Sequence, residues 1–109
     1  MGVKHTLLET APSRVPDAVA RAVRQFAASD ANVTRAFVGL TSIAVDFKQP
    51  YEQLAAGFVL ADEGAAALQA FADRFYAELP TDVQAGGCNV LEPAAVDDWS
   101  AKAQQVFAR

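Results

Sequence analysis

Residues able to do chemistry are few in this chain. Among 109 residues there is one histidine, His5, and one cysteine, Cys88. His5 lies in Val3-Lys4-His5-Thr6-Leu7-Leu8, on the same strand face as Val3 and Leu7. An imidazole there is either a hydrogen-bonded structural residue or a base or ligand contact, because it alone titrates near neutrality. Arg74 and Tyr76 fall toward the end of a later helix pattern. In that position they serve either as a solvated charge and an amphipathic cover residue, or as polar groups of a pocket. Phe26, Phe58 and Phe71 recur at core-like spacing and either fill the core or line a cavity between helices and sheet. Cys88 follows Gly86-Gly87 and reads as a buried structural thiol, since its one possible histidine partner belongs to a different strand. One histidine and scattered carboxylates without ligand spacing do not build a metal centre, and neither a phosphate-binding glycine loop nor a dinucleotide fingerprint is present, so no cofactor is expected.

The elements that must position these residues follow from periodicity. Val3 to Glu9 alternates as a strand. Pro12 and Pro16 break it, and Pro16 with Asp17 opens a helix carrying Val15, Val19, Val23 and Phe26 on one face and ending by Ser29 or Asp30. Val33 to Phe47 is a long β-branched and aromatic run, apolar on both faces, with Gly39 as a bulge or bend near its middle. After a Lys48-Gln49-Pro50 turn, Gln53 to Ala61 pairs back as a hairpin. Asp62 caps the next helix, with Glu63 in its first turn and Leu68, Phe71, Phe75 and Leu79 as its buried stripe, and Pro80 stops it. Cys88-Asn89-Val90-Leu91 forms a short fourth strand. Pro93 starts a last helix, 94–108, in which Val96, Trp99, Ala103 and Val106 share a face and Trp99 anchors it.

Two β-α-β halves joined by a hairpin predict an α+β, ferredoxin-like βαββαβ domain with a four-stranded antiparallel sheet, both helices on one face, and an additional C-terminal helix. One domain over 1–109, with its core in 3–91, is expected. The hydrophobic fraction is 52%, and the uncovered sheet face calls for a second sheet or the extra helix, so a homodimer is expected. Nine Lys and Arg against thirteen Asp and Glu give a net charge of -4, with the basic residues scattered, which argues against nucleic acid. Without a signal-like opening or a membrane-length apolar run, and with a lone thiol, the expected setting is cytoplasmic with no membrane partner.

The opening strand, the element order and the stretch Gly57-Phe58-Val59-Leu60-Ala61-Asp62-Glu63 running on to Leu68-Gln69-Ala70-Phe71 together resemble the stress-responsive dimeric α/β-barrel family over residues 3 to 91. Dimeric barrels of antibiotic-biosynthesis monooxygenases share the same outline. The first strand is similar to that of the olivetolic-acid-cyclase type of polyketide cyclase, which reads Val-Lys-His at the matching place and uses that histidine in a small aromatic pocket. This resemblance implies a small cofactor-independent enzyme or binding protein acting on an aromatic or polyketide-like ligand in a pocket of each subunit, with His5 as base. The cyclases carry a His-Pro-Ala-His stretch where this chain has Ala72-Asp73-Arg74-Phe75-Tyr76-Ala77. With no second histidine, Tyr76 or Arg74 would stabilise the enolate. The alternatives are a non-catalytic, stress-related dimeric module whose barrel is filled by side chains, and a monooxygenase of the related dimeric barrel class.

Overall fold

The longest strand organises the rest of the molecule. The computed structural model describes residues 3–61, 64–79 and 88–108. Its elements are β1 (Val3–Leu7), α1 (Asp17–Ser29), β2 (Val33–Val45), β3 (Tyr51–Leu60), α2 (Ala65–Glu78), β4 (Cys88–Val90), α3 (Pro93–Lys102) and β5 (Gln104–Ala108), with a 3-10 turn at Pro12–Arg14 between β1 and α1. The strands make one curled five-stranded sheet of order β1-β2-β3-β4, with β5 also on β2.

β2 has thirteen residues and β1 only five. One edge of β2 pairs antiparallel with β3 along nearly its whole length. The other edge is shared end to end: β1 covers Thr41 to Val45, and β5 covers Arg35 to Val38. Thr10 closes the seam between them. The Leu40 N–H donates to Thr10 Oγ1 at 2.9 Å, and that hydroxyl donates to the Leu8 carbonyl at 3.1 Å. The Leu8 N–H donates to the Leu40 carbonyl and the Thr10 N–H to that of Lys102, while Gln104 Nε2 donates to the Thr10 carbonyl at 2.7 Å. Thr10 is buried, so these bonds satisfy groups that water does not reach.

Each face of the sheet carries an apolar layer. On one face, Val19, Val23, Phe26 and Ala27 of α1 and Phe71 and Phe75 of α2 pack on Ala36, Val38, Ala56, Phe58 and Leu60. On the other, Trp99 and Ala103 of the α3 end pack with Phe37, Ala55 and Leu91. The apolar character of β2 and β3 on both faces is therefore used within one chain. Of the two covers expected for the second face, a second sheet or the extra helix, α3 supplies the helix over Phe37 and Ala55.

The pairing differs from the ferredoxin-like order, in which β1 would lie inside an all-antiparallel sheet. Here β1 pairs with β2, and β3 and β4 run parallel as neighbours. The nine residues between β1 and α1 are the reason. Arg14 in this linker lies 3.7 Å from Glu52, a residue register-paired with Ser42, so the linker doubles back to the hairpin end of the sheet. α1 then starts there and delivers β2 antiparallel to β1, which a short crossover could not do.

Other expectations shift with this. The C-terminal helix expected over 94–108 stops at Lys102, and Gln104–Ala108 is a strand. β1 is too short to cover β2, and the exposed N–H and C=O groups at Arg35–Val38 need a partner. Of the segment after residue 91, Gln104–Ala108 is thus part of the sheet. β2 ends at Val45 rather than Phe47, and Phe47 stands in the turn at φ 66°, fully exposed. Gly39 is not a bulge: it is in register with Ala55, and the register shifts lie at Val33/Arg35 and, against β5, at Ala36/Phe37. A Cβ on Gly39 would stand 2.9 Å from the Ala103 Cβ and 3.0 Å from Leu7 Cδ1, so close packing requires the glycine. α2 begins after Gly64; the expected Asp62 cap with Glu63, the Pro80 stop and the Gly86-Gly87 turn lie outside the described residues.

Candidate functional site

The described residues with concave, apolar surroundings lie where β3 ends and α3 begins. β3 runs out at Leu60, β4 lies parallel beside it, and the chain turns at Leu91, whose N–H donates to the Phe58 carbonyl at 2.8 Å. Pro93 then starts α3, where its missing N–H costs nothing. α3 lies on the sheet because two glycines let it. The Trp99 ring rests over Gly57, where an added Cβ would meet Trp99 Cε3 at 2.9 Å, and beside Gly39. One turn before Trp99, the helix stands away from the sheet and leaves a cleft of about 480 Å³ lined by Val59, Leu60, Ala61, Leu91, Pro93 and Val96. This volume falls in the range of small-molecule sites, and the lining side chains among the described residues are all apolar.

A charged group stands next to this cleft. Arg35 is register-paired with Val59, a cleft residue, through a strand pair whose Cα atoms are about 5 Å apart. Its guanidinium carbon lies 4.9 Å from the Phe37 ring centroid. Nη2 donates to Ser100 Oγ at 3.0 Å and to Gln105 Oε1 at 2.8 Å. Ser100 lies one turn along α3 from the cleft residue Val96. Nothing in local spacing marks Arg35 as a site residue. The signal available was a lone arginine inside a strand that is otherwise apolar on both faces.

The residues expected to act together are apart. His5 is exposed on β1, opposite Ile43. Tyr76 is on α2, and its hydroxyl accepts the Cys88 N–H at 3.0 Å, tying it to β4. β1 and β4 are opposite ends of the strand order, and no described hydrogen bond joins His5 to Tyr76. Arg74 pairs with Asp30, whose side chain is nearly buried at the end of α1 and also accepts the Asn32 N–H at 3.0 Å. It clamps α2 to α1. Phe26, Phe58 and Phe71 form, with Phe75, a set of edge-on contacts with centroids 4.9 to 5.7 Å apart. That geometry fills the space between helices and sheet; Phe26 also reaches a small hollow of about 230 Å³, with Ala22, Gln25, Ser29 and Glu78. Burial pushes the Cys88 thiol up to about 12, so it is protonated and a poor nucleophile at neutral pH.

Among the described residues, no group of three or more His, Cys, Asp or Glu is placed to hold a metal ion, and no helix is long and apolar enough to cross a membrane. No family model, no curated protein and no solved structure matches the chain.

Proposed function

We propose that this protein is a binding module for a small apolar molecule, aromatic ones included, held in the cleft between the end of β3 and α3. The carrying observation is the cleft itself: about 480 Å³, with apolar walls from three segments of a single chain. Binding is favoured over catalysis because, among the described residues, the lining side chains offer no acid, base or nucleophile, and side chains of that kind hold a ligand but do not move its protons. The cyclase-like alternative needs His5 beside the bound ligand.

The test is a titration with 1-naphthamide, a neutral two-ring probe, followed by amide chemical shifts. Saturable shifts centred on Val59, Leu91 and Val96, lost on filling the cleft with Val96→Phe, are expected. His5→Ala should leave them unchanged. Absence of saturable binding, or shifts centred on His5 and abolished by His5→Ala, overturns the reading.

A further inference from the structure

Among the described residues, Arg35 is a cation that the fold holds beside the cleft residue Val59 without neutralising it. Among the described residues its partners are two neutral oxygens, those of Ser100 and Gln105, and the face of Phe37. No carboxylate pairs with it there, whereas Arg14, Arg74 and Lys102 each have one. Both described hydrogen bonds leave from Nη2, so the N–H groups of Nε and Nη1 remain as donors. The ring beneath and the two acceptors beside it fix the guanidinium plane, which reduces the ordering cost of accepting an anion.

From this placement we infer that the molecule taken by the cleft is an amphipathic carboxylate: an apolar body against Val59, Leu91 and Val96, and a carboxylate on Arg35. This rests on the cleft being a binding site and names the class of ligand. Two strands and one helix set the arrangement. Val59 and Arg35 are neighbours across the β3–β2 pair, and Val96 and Ser100 are neighbours along α3, so apolar wall and cation meet along one line. A single guanidinium suits a singly charged, planar carboxylate. A dianionic phosphate would have to be held by this one cation against a protein whose net charge is -4.

Affinities of 1-naphthoate and of its neutral isostere 1-naphthamide, measured by calorimetry on the wild type and on Arg35→Gln, separate the two levels of the argument. The wild type is expected to bind the acid about tenfold more tightly than the amide, a charge-assisted hydrogen bond's worth of preference. Arg35→Gln is expected to abolish that preference while still binding the amide measurably, which also shows that the variant folds; Arg35→Lys should restore part of it. Equal or weaker binding of the acid by the wild type, or a preference that survives in Arg35→Gln, overturns the carboxylate assignment and leaves the cleft standing. Failure of both ligands to bind overturns the cleft and the assignment together.

Discussion

At the scale of single residues, burial decides what each reactive group does. Cys88 sits on β4 against the larger core, and removing its surroundings from water raises its thiol from an ordinary 9.0 to about 12. The folded chain therefore keeps a proton that the unfolded chain releases above the ordinary value, so this group's contribution to stability declines as pH rises from 9 toward 12. Urea unfolding between about pH 8 and about pH 10.5 should show stability falling less steeply in Cys88→Ala than in the wild type. Parallel slopes would contradict a buried thiol. The structural reading of Cys88 was visible in the sequence, from its solitude. That Arg74 answers Asp30, and that Tyr76 accepts from the Cys88 backbone, was not, because partners 44 and 12 residues away leave no mark in local spacing.

At the scale of elements, the question is how a long strand obtains partners. β2 takes two short strands on one edge and leaves a gap between them that Thr10 bridges with its hydroxyl. Thr10→Val keeps the shape and removes the oxygen, leaving the buried Leu40 N–H without its acceptor. A loss of about 1–3 kcal/mol in urea unfolding is expected, with no change in the denaturant slope. An unchanged midpoint would mean that water or backbone replaces the hydroxyl. Most elements could be read from periodicity: α1, β2, β3 and the start of α3 fall where the apolar spacing puts them. The tail could not, since Val96, Trp99, Ala103 and Val106 fit helical spacing. Only the unpaired edge of β2 at Arg35–Val38 turns 104–108 into a strand.

At the scale of the whole molecule, one sheet carries an apolar core on each face, and β2 and β3 belong to both. Loss of either layer exposes strands the other layer needs. Trp99, the only tryptophan, reports the α3 side, while α1 and α2 contribute most of the helical far-ultraviolet dichroism. The two signals should trace a single coincident transition in denaturant. Separate midpoints would show that the α3 layer melts by itself. Phe47 and Tyr51, both exposed near the β2–β3 turn, belong to neither apolar core.

What the chain determines by itself is the number and kind of its pieces: an α+β mixture, a strand pair apolar on both faces, amphipathic helices, and a scarcity of nucleophiles and metal ligands. These are properties of local spacing and composition, and they need no partner to be read. Tertiary structure alone decided the order of the strands, the fate of the last five strand residues, the tying of Arg74 and Tyr76 into structural bonds, and the meeting of Arg35 with an apolar cleft. Each depends on contacts distant in sequence. There the deciding terms are the satisfaction of buried backbone groups and the close approach allowed by Gly39 and Gly57, and a pattern of side chains along the chain does not record them.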